Sequence, residues 1–255
     1  MVPFDIKPTS IFALAALAIV AALPAQAGGR VPVDFDQAVF SDPTTIDNPY
    51  WPLIPGTTYV YAAEAPDECE VDVFTVSSDI KTILGVDALV IYDEAFIDED
   101  CDGIGDIRAE TTQDWHAQDD DGNVWYLGEL TFSCDETGTV CDDPEGSWEA
   151  GVDGAVAGII MLADPRPGQF YYQEFFEGEA EDQAKVLRLN ARVVLKRDDA
   201  IDPGRFNRCL MTKEWTQLSP GHVEQKFYCP EVGLVRVDEH RGKLLHFELV
   251  AIESE

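Results

Sequence analysis

Asp114-Trp-His-Ala-Gln-Asp-Asp-Asp-Gly-Asn-Val-Trp-Tyr-Leu-Gly-Glu129 reads as two short strands joined by a tight turn. Trp115 and Ala117 on one side and Val124–Leu127 on the other flank Asp119-Asp-Asp-Gly-Asn123. Asp-Gly between strand-like runs is a strong short-range hairpin signal, because glycine enters the positive-φ half of the turn without steric cost. Just upstream lies Asp98-Glu-Asp-Cys-Asp-Gly-Ile-Gly-Asp106, with carboxylates at alternate positions around a glycine. The hairpin is expected at the centre of a β-sheet, and the acidic loop at its rim.

The chain on either side repeats the strand pattern. Thr57–Ala63 is rich in β-branched and aromatic residues, and Glu68–Thr75 carries an apolar side chain at every second position. A period of two puts one face in a core and the other in water. Ala88–Tyr92 returns after the turn at Gly85, and Gln169–Phe176 is an aromatic strand. The segment from about Lys185 alternates better than it fits a helix. Cys209–Gln217 and His222–Cys229 flank Leu218-Ser-Pro-Gly221, and Gly233–Val237 and Leu244–Ile252 form a last pair. Helical periodicity is almost absent. These signals predict one all-β domain over 57–255, an antiparallel meander forming a barrel-like or sandwich domain, with an acidic insert at 93–110. Residues 28–56 are turn-rich and carry Tyr50, Trp51 and Leu53, so an irregular N-terminal arm packing on the domain is expected.

Residues 1–27 read as a signal peptide. Lys7 supplies a positive start, Ile11–Leu23 an apolar run, and Ala25-Gln26-Ala27 a small-residue cleavage site. The run is short for a membrane span, which takes about 20 residues. The expected product is exported, periplasmic or extracellular, with no membrane span after cleavage near Ala27. No cysteine stands directly after that site, which argues against lipid anchoring. All six cysteines lie beyond it, and an even number in an oxidising compartment implies disulfides. Neighbour pairing is expected to join Cys134 to Cys141 across a short turn, and Cys209 to Cys229 and Cys69 to Cys101 across hairpins.

The charge is extreme: 49 acidic residues against 17 basic, a net of −32. A chain this acidic repels nucleic acid and anionic membranes, and its self-repulsion is relieved by cations. Calcium is the partner the sequence suggests most directly. Asp98, Asp100, Asp102, the Ile104 carbonyl and Asp106 stand at positions 1, 3, 5, 7 and 9 of a calcium loop, with Gly103 at the sharp turn of position 6. A tight loop points alternate side chains inward, where hard Ca²⁺ takes several oxygens. The stretch resembles the loops of thrombospondin type 3 and dockerin modules. It departs from them at position 12, where Ala109 replaces the bidentate glutamate. The resemblance implies affinity of the weak extracellular class, about 10⁻⁴–10⁻³ M. Asp119, Asp120 and Asp121 are read as the hairpin turn rather than as a second ion site.

Other chemistry is less well marked. Glu129, Glu149, Asp153, Glu174, Glu214 and Glu224 lie on or beside aromatic segments. Their ordinary reading is solvent-facing alternation, although a pair facing a cavity can serve as acid and base or hydrolyse glycosides. Trp115, Trp125, Tyr126, Trp148, Tyr171, Tyr172 and Trp215 are core candidates that a barrel interior can also use to hold a ligand. His116, His222, His240 and His246 show no zinc-enzyme spacing, and no nucleophile elbow, Walker loop or dinucleotide fingerprint occurs.

Asp47-Asn-Pro-Tyr-Trp-Pro-Leu-Ile-Pro-Gly-Thr-Thr-Tyr-Val-Tyr61, Trp115–Glu129, Gly146-Ser-Trp-Glu-Ala-Gly-Val-Asp-Gly154, and Lys213-Glu-Trp-Thr with Val232-Gly-Leu-Val235 together resemble an uncharacterised family of exported bacterial β-rich proteins. That resemblance implies the β fold and export and adds no site residue. The sequence thus predicts an exported calcium-binding β-protein that holds a small ligand or a protein partner. The alternatives are a secreted hydrolase of glycosides or esters using a carboxylate pair, and an acidic surface protein with a structural role.

Overall fold

The period-two patterning folds as strands, but the expected insert at 93–110 is shorter than read: 93–97 and 107–110 belong to the flanking strands, and only 98–106 lies between them. The computed structural model describes residues 29–65, 68–144, 146–240, 242 and 244–254. The expected signal peptide, 1–27, lies outside them. Among the described residues there are fifteen strands, one short 3₁₀ turn at Phe35–Gln37 and no α-helix. Among the described residues, no helix is long and apolar enough to cross a membrane.

The strands are β1 (Thr57–Ala65), β2 (Glu68–Ile83), β3 (Val86–Ile97), β4 (Ile107–Gln118), β5 (Val124–Cys134), β6 (Cys141–Asp143), β7 (Trp148–Glu149), β8 (Val156–Met161), β9 (Phe170–Tyr172), β10 (Glu174–Phe175), β11 (Gln183–Val194), β12 (Arg205–Trp215), β13 (Val223–Cys229), β14 (Gly233–His240) and β15 (Leu244–Ser254). They form one antiparallel sheet in the order β10-β8-β5-β4-β3-β2-β1-β15-β14-β13-β12-β11-β9, with β6 and β7 pairing on β5. Two meanders, β1–β5 and β11–β15, join through the β1–β15 pair. The edge strands β9 and β10 are separated along the chain by Gln173 alone. The sheet therefore curls back on itself and nearly closes as a barrel, which protects its edges from further pairing.

Gly158 makes the near-closure possible. A Cβ on that residue would lie 1.9 Å from the Gln173 carbonyl oxygen. Only glycine lets β8 come so close to the β9–β10 junction. Gln173 also donates its backbone N–H to the Asp182 carbonyl at 2.8 Å.

The arm seals one end of the barrel. Ile46 and Leu53 are buried and bridge each other. Asn48 donates its side-chain amide to the carbonyls of Gly122 and Leu162, and Ser41 donates to Asp120 at 2.8 Å. Trp51 reaches inside and makes ring contacts with Phe74, His116 and Tyr228, centroids 5.7, 6.2 and 5.6 Å away. The three disulfides join Cys69–Cys101, Cys134–Cys141 and Cys209–Cys229, the neighbour pairing expected from the turns.

The β4–β5 turn is held by Asp119. Its carboxylate accepts the Asn123 backbone N–H, the Asn123 side-chain amide and the indole N–H of Trp125, all within 2.9 Å. The group is thereby committed to the turn.

Candidate functional site

Strand β4 carries the site. Glu110, Thr112, Asp114 and His116 are spaced by two, so they share one face, and that face points into the barrel. Glu110 is exposed at the mouth and His116 is 3% exposed at depth. Around them lies a cavity of about 280 Å³ lined also by Trp51, Phe74, Asp93, Tyr126, Glu129, Ile160, Gln173, Glu174, Asp182, Glu214 and Lys226. Seven of the lining side chains are carboxyl groups and one is a lysine.

A bulge brings Tyr126 and Glu129 in together. Asp114 pairs with Glu129 and His116 with Tyr126, so two residues of β5 oppose one of β4. Gly128, at φ 137°, takes up the extra residue. Three residues apart in a regular strand, Tyr126 and Glu129 would face opposite sides; the bulge turns both inward. The Tyr126 hydroxyl lies 2.5 Å from Asp114 Oδ1 and 2.9 Å from Glu129 Oε2. A phenol has one proton to donate. The second contact therefore takes a proton held by one of the two carboxyl groups.

The electrostatics agree with that count. Burial pushes the Asp114 carboxyl up to about 8, and the Asp93 charge adds to the push. Burial pushes Glu174 up to about 8 as well, aided by Asp182, while the Trp148 indole N–H at 2.8 Å opposes it. Burial and then Asp114 raise Glu129 well above the usual carboxylate range, and burial and then Asp72 do the same for Asp93. Asp72 and Asp93 are hydrogen-bonded side chain to side chain, which again needs a shared proton.

Glu214 is the contrast. It is 4% exposed but fully partnered. Thr212 and Tyr228 donate their hydroxyls to Oε1, and Gln173 and Lys226 reach Oε2 at 3.2 and 3.1 Å. Burial alone would lower Lys226, but Glu214 and Glu224 hold its pKa well above the usual value. The one cation of the cavity is thus already neutralised.

His116 is the other extreme. Both of its ring nitrogens are enclosed and neither has a partner. Its ring stacks on Tyr126 with centroids 4.9 Å apart, and burial lowers its pKa to about 3, so it stays neutral. The enclosed Trp51 Nε1 and Asp72 Oδ1 also lack partners. Polar atoms in such a space are met by water or by a ligand.

Of the carboxylates picked out in the sequence, Glu129, Glu174 and Glu214 line the cavity. Glu149 pairs with Lys81 at 2.7 Å, Asp153 is an exposed turn residue, and Glu224 binds Lys226 at 2.9 Å. Asp93, Glu110, Asp114, Asp182 and Lys226 were not singled out. The signal that could have found four of the site residues is the strict polar alternation Glu110-x-Thr112-x-Asp114-x-His116, which in an open sheet denotes the wet face.

The acidic loop lies apart from the cavity, between β3 and β4. Ligand atoms of Asp98, Asp100 and Asp106 lie within 4.8 Å of one another. Asp98 is 4% exposed and accepts the backbone N–H groups of Asp102 and Gly103, at 3.2 and 2.8 Å. Asp106 accepts from the Glu99 N–H at 2.8 Å. Asp102 stands outside the group and caps the Ile104 N–H at 2.9 Å, and the Ile104 side chain is exposed. The Cys69–Cys101 bond ties the loop to β2. A second group, His222, Glu224 and Glu239, sits near the barrel mouth with His222 Nε2 2.7 Å from Glu239.

Fold and site together define a nearly closed antiparallel β-barrel with an acidic, partly protonated interior. No protein-family model matches the chain, and no curated protein does. Among solved structures, it is similar to a candidate lipoprotein of Parabacteroides distasonis at 11% identity, over 80% of this chain and 98% of that one, with a TM-score of 0.38. A likeness that distant carries no argument about activity.

Proposed function

We propose that the protein is an exported binding protein that holds a small polar molecule inside the barrel. The observation that carries this reading is the cavity with His116 unpartnered at its base. Small barrels ordinarily fill their interior with side chains. Burying carboxyl groups and an unpaired imidazole costs stability, and such departures from good packing mark functional sites. Three disulfides and the leader-like first 27 residues support export. A thermal-shift screen of small cations, neutral sugars and organic anions tests the reading, run beside the cavity-filling variant Ile160→Trp. At least one class is expected to raise the melting temperature of the wild type and not of the variant. No stabilisation by any class would remove the proposal.

A calcium ion on the loop is a second part of the reading, favoured by the approach of Asp98, Asp100 and Asp106. Asp102, the Ile104 carbonyl and water would complete the oxygen shell. Such an ion binds the folded form and stabilises it by mass action, by about 1.4 kcal/mol at tenfold excess over Kd. Calorimetry with millimolar Ca²⁺ is expected to give a saturable heat that Asp100→Ala abolishes. Absence of heat in the wild type would dismiss the ion.

A further inference from the structure

We infer that the molecule held in the cavity is a small organic cation carrying two or more amino or guanidino groups, received by Asp114 and Glu129 on one wall, Glu174 on another and His116 at the base. The inference rests on the proposed binding role and names its ligand class.

The charge distribution favours a cation over the alternatives. An anion would meet seven carboxyl groups and a lysine already taken by Glu214 and Glu224. A single metal ion needs several ligand atoms converging on one point. Among the described residues, the groups that converge in this way are Asp98/Asp100/Asp106 and His222/Glu224/Glu239, and none is built on Asp114, His116, Glu129 or Glu174. The cavity acids are spread over β3, β4, β5, β10 and β12, which suits charges spaced along an organic scaffold. A neutral sugar would bring no counter-charge, so it would leave the carboxyl groups protonated and release no proton. An ammonium group supplies only donors, which fits the carboxyl oxygens and the one unprotonated ring nitrogen of His116. His116 cannot oppose it, since the ring carries no charge. The aromatic walls of Trp51, Phe74 and Tyr126 accept the carbon chain and favour a cation over their faces.

Binding is then coupled to proton release. The groups around Asp114 are Asp72 on β2, Asp93 on β3, Glu110 and His116 on β4, Tyr126 and Glu129 on β5, Glu174 on β10, Asp182 before β11, Glu214 on β12 and Lys226 on β13. The carboxyls held protonated in the empty cavity ionise against the incoming cation, and their protons pass to the buffer.

Calorimetry with putrescine, agmatine and spermidine at pH 7.5 and 0.3 M NaCl, in two buffers of different ionisation enthalpy, tests this. Glucose and citrate serve as neutral and anionic controls. At least one amine is expected to bind one to one, with a buffer-dependent heat showing proton release. Affinity is expected to fall about tenfold or more in Glu129→Gln and in Asp114→Asn, to be lost in Ile160→Trp, and to rise from pH 6 to 8. The proton-release measurement uses wild-type protein and stands if a variant fails to fold. Glucose or citrate binding in place of the amines would leave the cavity a binding site and overturn the cation. Amine binding that survives Ile160→Trp but is lost with added salt would be counterion attraction to the acidic surface, and would also overturn it. No binding by any probe would overturn it too, and agreement of that result with an empty thermal-shift screen would remove the binding role itself.

Discussion

At the scale of single residues, the protein keeps ionisable groups where they weaken the fold. The Asp114 pKa lies near 8 in the folded chain against 3.8 for a free side chain. Between those values the folded state holds a proton that the unfolded state has lost, so the contribution to stability falls as pH rises through that window. Glu174, also raised to about 8, acts in the same sense. His116 acts in the opposite one: its pKa near 3, against 6.5 unfolded, makes its contribution grow as pH rises from 3 to 6.5. Above pH 6.5 the carboxyl effect stands alone. The ligand-free protein is therefore expected to lose thermal stability from pH 6.5 to 8.5. Asp114→Asn, which keeps the shape and cannot ionise, should flatten that fall and melt about 6 °C higher at pH 8.5, equivalent to about 2 kcal/mol. Scanning calorimetry of the two proteins at both pH values checks this. An asparagine variant less stable than wild type at pH 8.5 would show that the carboxylate is ionised and satisfied. Glu129, Glu174 and Glu214 stood out in the sequence as carboxylates a cavity could use, but their arrangement was not legible, because the bulge at Gly128 decides which way Glu129 points and a period-two count cannot see a bulge.

At the scale of elements, alternation placed β2 and β11, aromatic runs and turn residues placed most of the other strands, and the neighbour pairing of the cysteines followed from them. The inward face of β4 is written in the sequence as a polar alternation, which in an open sheet has the opposite meaning. Polar alternation marks water, and here the water, or what replaces it, is inside the barrel. Closure was not visible at all. It depends on Gly158 passing within contact of the Gln173 backbone, a pair fifteen positions apart with no pattern between them. Gly158→Ala is expected to push β8 from the β9–β10 junction, loosen the Trp148–Glu174 hydrogen bond and cost about 2–3 kcal/mol. Urea unfolding monitored by tryptophan fluorescence would measure it. Gly29→Ala, where a Cβ meets nothing within 4 Å, is the control and should change stability by less than about 0.5 kcal/mol. Equal effects from the two would mean that the barrel does not depend on that approach.

At the scale of the whole molecule, two populations of negative charge are present, and salt tells them apart. The net charge of −32 falls mostly on exposed carboxylates such as Asp36, Asp100, Asp121 and Glu136, which repel one another through water. That repulsion is screened over a Debye length of about 10 Å at 0.1 M salt and about 3 Å at 1 M. The cavity acids interact at short range across a partly enclosed space, and screening reaches them less. Raising NaCl from 0.02 to 0.5 M at pH 8.5 is therefore expected to raise the melting temperature by several degrees in the wild type. It should do so by the same amount, within about 1 °C, in Asp114→Asn, because effects that share no partners add. The gains from salt and from substitution would then be independent. A salt effect much smaller in the variant would place Asp114 in contact with bulk ions, and the interior would have to be regarded as an open extension of the surface rather than a sheltered binding space.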